Sequence, residues 1–172
     1  QPVIEAFGYR DSGYGKQAPT VRAQFLDFID DHRDRPFFAY ICLMDVNQAM
    51  HRRKLSHPAW TPEPPASEIM GEYDRALRQA DGEVETLLEA LRTRGVLDNT
   101  IVVVVSDHGE SFGAAQTDDH DPVGHGTSLY PEQTRVPMWV VLPKGERAAA
   151  TVDQPVSIRA IAATITQSLG LA

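Results

Sequence analysis

Five consecutive β-branched residues, Ile101-Val102-Val103-Val104-Val105, constrain the fold of this chain more than any other stretch. Branching at Cβ narrows χ1 and crowds a helical turn, so the run favours extended backbone. Because it is apolar throughout, without polar alternation, it predicts a central strand covered on both faces. Its polar sequel, Ser106-Asp107-His108-Gly109-Glu110, then falls at the carboxyl end of that strand. Two further runs have the same character: Phe37 to Leu43, and Val136 to Leu142 before the stop Pro143-Lys144-Gly145. Each predicts another buried strand.

Amphipathic segments separate these strands. Val21, Phe25, Phe28, Ile29 and His32 recur at three- and four-residue steps and predict a helix from Thr20, its N-cap, to about Arg33. Ile69, Tyr73, Leu77, Ala80, Val84, Leu87, Leu88 and Leu91 predict one apolar face of a long helix, capped by Ser67 and closed by Gly95. Ile158, Ile161, Ala162, Ile165 and Leu169 predict a last helix between a Ser157 cap and Gly170. Residues 1–19 read as an irregular opening segment. The stretch 45–65, with Pro58, Pro62, Pro64 and Pro65, reads as a long surface loop, and 111–134 as a loop rich in Gly, Asp and His. Strands alternating with helices predict an α/β layered fold with a largely parallel sheet. Three strands are few for such a sheet, so further strands are expected within 1–19 or 145–155, or in another segment.

At 172 residues the chain fits a single domain. A hydrophobic share of 42% and a charged share of 23% exclude a disordered or fibrous chain. Sixteen Lys and Arg against 24 Asp and Glu give a formal charge of −8. That field repels nucleic acid and anionic bilayers, so polyanion binding is not expected. One cysteine, Cys42, excludes an internal disulfide and a multi-cysteine zinc cluster, and leaves the compartment undecided. Within the apolar strand 37–43 it reads as a core residue. The chain shows no signal peptide and opens at Gln1, as a processed or excised segment does.

In open α/β sheets ligands bind beyond the carboxyl ends of strands, where Asp107, His108 and Glu110 emerge. A carboxylate beside an imidazole suits zinc or manganese, and Gly109 permits a sharp turn. On local spacing alone a second reading stays open, in which Asp107 caps a following helical turn and His108 pairs with a neighbour. His125, between Gly124 and Gly126, has a ring free of neighbouring side chains and fits a general acid or a donor to an anionic oxygen. Asp118-Asp119-His120-Asp121 lacks EF-hand spacing and reads as a solvated acidic loop rather than a second metal site. His51-Arg52-Arg53-Lys54 with His57 is the basic concentration of the chain, either an exposed loop or a neutralising patch for an anionic group.

An ordered series of motifs runs through this framework. It begins with Tyr73, Asp81, Leu87-Leu88 and Gly95-Val96-Leu97-Asp98-Asn99-Thr100, and continues with Ser106-Asp107-His108-Gly109-Glu110 and Gly124-His125-Gly126. Ser128-Leu129-Tyr130, Glu132-Gln133 and Arg135-Val136-Pro137 complete it. Over residues 20–172 the series resembles the C-terminal part of the catalytic domain of sulfatases, in the alkaline phosphatase superfamily. The resemblance implies a three-layer α/β/α sandwich with a mostly parallel sheet, of which this single-domain chain is a C-terminal piece. It implies that Asp107 and His108 bind a divalent cation, calcium, manganese or zinc, and that His125 contacts the ester or protonates its leaving group. It implies an anionic small-molecule ester, sulfate or phosphate, as substrate, and it is compatible with an extracytoplasmic location and with membrane association of a longer parent.

Family members also carry an N-terminal half with acidic metal ligands and a Cys/Ser-x-Pro-x-Arg nucleophile, and neither occurs in this sequence. Met44-Asp45-Val46-Asn47-Gln48-Ala49-Met50 resembles the family stretch Met-Asp-x-His-x-Pro-Tyr, with Asn47 where an active-site histidine stands. Asn47 is therefore the candidate substrate-binding residue. An amide donates a hydrogen bond but transfers no proton near neutral pH. The isolated chain is expected to be inactive without its missing half. A non-catalytic binding module that keeps the fold is the alternative.

Overall fold

The computed structural model of the protein describes residues 3–7, 16–56, 65–113, 123–126, 128–143 and 149–171. In chain order these form β1 (Val3–Phe7), α1 (Ala18–Asp31), β2 (Phe37–Ile41), α2 (Asp45–Ser56), α3 (Ala66–Thr93), β3 (Val102–Val105), α4 (Pro131–Thr134), β4 (Met138–Val141) and α5 (Ala160–Ser168). A 3₁₀ turn, Leu97–Asn99, links α3 to β3.

The α1 periodicity buries the predicted stripe, since Val21, Phe25, Phe28 and Ile29 meet Leu91 of α3 and Leu97 in one core. The start of the helix differs from expectation. It begins at Ala18 with Pro19 in the first turn, so Thr20 lies inside the helix, and Gln17 at the N-cap position makes no side-chain cap. The cap comes from a distance: the Asp45 carboxylate accepts the Ala18 N–H at 3.0 and 3.3 Å across 27 residues. It satisfies a donor that the first turn cannot pair.

Phe37, Ala39 and Ile41 of β2 turn toward this core, whereas Phe38 and Tyr40 on the other face are exposed. Both faces of β2 and β3 were expected to be covered; among the described residues β2 is covered on one face only, and β3 is half-buried on both faces up to the exposed Val105. Even within the five-residue run no side chain is fully buried, although Val102 reaches the core. β1 pairs in parallel with β2, Val3 against Phe37 through Phe7 against Ile41. It is a strand inside the opening segment, which reads as irregular but was one of the places where a further strand was expected; Val3-Ile4-Glu5-Ala6-Phe7 carries too little alternation to be read locally. β3 pairs with β4 antiparallel, Val102 against Val141. The largely parallel sheet expected from the sequence is thus, among the described strands, one parallel and one antiparallel pair.

Residues 45–56 also depart from expectation, forming helix α2 along α3 instead of a loop. Every residue from Asp45 to Ser56 tolerates a helix, and the prolines that suggested a loop begin only at Pro58. In α3 the buried line runs through Ile69, Ala76 and Leu91, while Leu77, expected on that face, is exposed. Ser67 does not cap α3, whose N-cap position is Pro65. Gly95, at φ +73°, closes the helix as predicted, because the Val96 N–H donates to the Leu91 carbonyl at 3.1 Å and the Gly95 N–H to Arg92 at 2.9 Å. Arg22 pairs with Glu83, and Arg94 reaches Asp30 at 2.9 Å, so two ion pairs bind α1 to α3. Asp30 also pairs with Arg33, and hydrogen bonds from Arg94 and then Arg33 lower its pKa from 3.8 to about 2.

Cys42 is half-buried just past β2, its sulfur 3.4 Å from that of Met44. At the C-terminus α5 begins at Ala160, after the Ser157 hydroxyl and carbonyl have accepted the Arg159 and Ala160 N–H groups. None of its residues is buried. No helix among the described residues is long and apolar enough to cross a membrane.

Candidate functional site

The end of β3 turns without forming a helix, so Asp107 has no helical turn to cap. The Ser106 hydroxyl donates to the His108 carbonyl at 2.7 Å, and the His108 N–H donates to Asp107 Oδ1 at 3.0 Å. Gly109 passes so close to α4 that a Cβ there would lie 2.0 Å from the Glu132 carbonyl oxygen. Only glycine fits this crossing. Its N–H donates to the Gln133 carbonyl at 2.8 Å, which moors the strand end to α4.

The chain then returns. Ser111 and Gly124 form a reciprocal backbone bridge at 2.8 and 3.0 Å, bringing Gly124-His125-Gly126 alongside the strand end. Gly124 and Gly126 have φ of +144° and +81°, a region that residues with a Cβ rarely adopt. This return lays the His125 ring on the His108 ring, with centroids 3.7 Å apart and planes 29° from parallel. Two candidates separated by 16 intervening residues in sequence thus meet face to face.

The hydrogen bonds assign the imidazole tautomers. His108 Nδ1 lies 2.8 Å from the Gly109 carbonyl oxygen, which can only accept, so Nδ1 carries the proton and Nε2 keeps a lone pair. Nε2 lies 3.7 Å from Asp107 Oδ1, and the Asp107 side chain is 87% exposed. Two donors on one cation with bonds of about 2.0–2.2 Å stand roughly 3–4 Å apart, so Asp107 and His108 fit as two members of a ligand set. Among the described residues no third His, Cys, Asp or Glu joins them. His125 Nδ1 lies 3.3 Å from both oxygens of Glu110, whose side chain is only 12% exposed. A carboxylate there holds the proton on Nδ1 and leaves Nε2 for a ligand.

Tyr73 enters from α3, its ring edge-on to Phe112 at 5.1 Å. Burial raises its pKa, with further contributions from Glu110, Asp74 and Asp107. Asn47 lies exposed in the first turn of α2. Among the described residues no hydrogen bond, ion pair or ring contact joins it to Asp107, His108 or His125. His57 and Asp118 through Asp121 lie outside the described residues. The sequence placed Glu110 at the strand end, Tyr73 on the apolar helix face and Gln133 in the motif series, with no chemical role for any of them. Of the three, Glu110 had the signal nearest the site, its place at the polar end of the β-branched run.

The model of the family described as Sulfatase matches residues 5–171. An uncharacterized sulfatase, YidJ, of Escherichia coli strain K12 is 38% identical over 77 residues, covering 45% of this chain and 14% of that protein. An N-acetylgalactosamine-6-O-sulfatase of Bacteroides thetaiotaomicron is 26% identical over 166 residues, covering 88% of this chain and 31% of that protein. A steryl-sulfatase of Rattus norvegicus is 34% identical over 83 residues, covering 48% and 13%. The chain thus matches less than a third of the length of each of these relatives. With a family match running almost from end to end, this α/β chain belongs to the sulfatase family of hydrolases.

Proposed function

We propose that this chain is the C-terminal portion of a sulfatase catalytic domain and supplies one side of a metal-dependent site for sulfate ester hydrolysis. The observation that carries the reading is the face-to-face contact of His108 and His125 at the strand end, with His108 Nε2 beside Asp107 and His125 Nδ1 held by Glu110. Asp107 and His108 Nε2 would hold a divalent cation, which supplies polarisation of the ester oxygens and stabilises developing negative charge. His125 presents Nε2 to the ester, as a hydrogen-bond donor to a sulfate oxygen or a proton donor to the leaving group when the ring is charged. Asn47 would contribute an amide hydrogen bond to the substrate. The remaining cation ligands and the nucleophile would come from residues outside these 172, as would a second helical layer over Phe38, Tyr40 and Trp139 that completes a three-layer sandwich with a mostly parallel sheet.

Metal and ester assays test the reading. The 172 residues alone should bind manganese, calcium or zinc more weakly than micromolar and leave aryl sulfates intact. In a longer protein that supplies the missing half, Asp107→Ala should abolish turnover and His125→Ala lower it by about 10²–10⁴-fold. Tight metal binding by the 172 residues that survives Asp107→Ala would sink the assignment. A second reading, a non-catalytic binding module, is favoured by one observation: an amide at position 47 in place of the family histidine. Under that reading Asn47→His restores no hydrolysis and His125→Ala leaves ligand binding unchanged.

A further inference from the structure

The contact between His108 and His125 depends on how two loops are held against each other. His125 sits between glycines whose φ angles are positive, so its loop has unusual conformational freedom to lose. Gly124 is pinned by the backbone bridge to Ser111. The other side of His125 is pinned by a side chain, since the Gly126 N–H donates to Gln133 Oε1 at 3.0 Å. The same residue accepts the Gly109 N–H at its backbone carbonyl at 2.8 Å. Gln133 therefore joins the loop that carries His108 to the loop that carries His125, through one residue that is 4% exposed and fixed in α4. A buried amide in that place is costly unless its polar atoms are used, and Oε1 is used on the histidine loop.

We infer that Gln133 is the positioning residue that sets the spacing of His125 over His108. It acts through the backbone of both loops, so it tunes geometry and not proton transfer. The inference deepens the proposed hydrolytic site and, for its kinetic arm, rests on that reading.

The test uses the full-length protein, with aryl sulfate turnover as one readout and histidine-selective NMR as the other. Gln133→Met keeps the length of the side chain but removes the acceptor, and Gln133→Glu keeps the acceptor. Gln133→Asn, one methylene shorter, replaces the methionine variant if that one fails to fold. The methionine variant should lower kcat by about 10–100-fold, the scale of a displacement near 1 Å, with KM and melting temperature little changed. The glutamate variant should recover most of the loss. In a His125→Ala background Gln133→Met should cost less than about twofold more, because residues acting as a unit are not additive. Cross-relaxation between the His108 and His125 rings should be present in the wild type, lost in Gln133→Met and retained in Gln133→Glu. Unchanged kcat and an intact cross-peak in Gln133→Met would overturn the inference, as would additive losses in the double variant. If the wild type hydrolyses no sulfate ester, the proposed function fails, and the ring cross-peaks alone decide the role of Gln133.

Discussion

α1 and α5 carry similar apolar periodicities and meet opposite fates. α1 buries Val21, Phe25, Phe28 and Ile29 against β2, α3 and the 3₁₀ turn. α5 buries nothing, and β4, the strand before it in the chain, leaves Trp139 59% exposed. An amphipathic pattern specifies which face seeks cover but not what supplies it. The first region finds its cover within these 172 residues, and the second does not find it among those described.

The contrast is sharpest at the aromatic cluster. Phe25 is buried, and its ring lies 6.5 Å from Phe28 and 6.3 Å from Phe37. Phe25→Ala should cost about 3–5 kcal/mol in urea unfolding, the range for a deleted core aromatic. A loss under 1 kcal/mol would mean that this region is no better packed than the other.

The distant cap of α1 gives the next largest effect. Asp45→Ala leaves the Ala18 N–H without its carboxylate and should destabilise by about 1 kcal/mol, read as a lower urea midpoint. An unchanged midpoint would show that water replaces the cap at no cost.

Asp30 provides a smaller, pH-dependent test of the α1–α3 seam. Its folded pKa is depressed, so its contribution is present above the unfolded value near 3.8 and is lost as pH falls through about 2. Asp30→Asn should therefore lower the melting temperature slightly at pH 7, with the gap to wild type closing between pH 4 and pH 2. A gap that persists at pH 2 would rule out the ion pairs as its source.

The smallest effect belongs to the uncovered region. Trp139→Ser and Leu169→Ala should each shift stability by no more than about 0.5 kcal/mol in the 172 residues, as exposed positions do. The same substitutions in a longer chain decide whether that chain covers this face. A loss of about 2 kcal/mol or more there would identify buried contacts.

What the sequence reveals follows from how local the determining physics is. The β-branched run, the Gly95 closure and the apolar face of α1 are set by χ1 sterics, positive φ and periodicity, all visible within a few residues. β1 is held by pairing with a strand more than thirty residues away, so its own five residues show little of it. The direction of β4 is likewise a property of the pair. α2 was obscured by its proline-rich sequel, although its own residues suit a helix. At the site, Asp107, His108 and His125 stand out by chemistry and flanking glycine. The stacking of the two rings, the Glu110 partner and the Gln133 link need the chain to return on itself, and no spacing rule foretells that.

The carboxylate that caps α1 has a consequence in time. Asp45 follows Ala18 by 27 residues, and chains are synthesised at about 5–20 residues per second, so α1 waits roughly one to five seconds for its cap. In that interval its first-turn N–H groups are left to water, and its apolar stripe has neither Leu91 nor Leu97 to meet. Residues 18–44 are therefore made before the carboxylate and the core contacts that hold α1 in the folded chain.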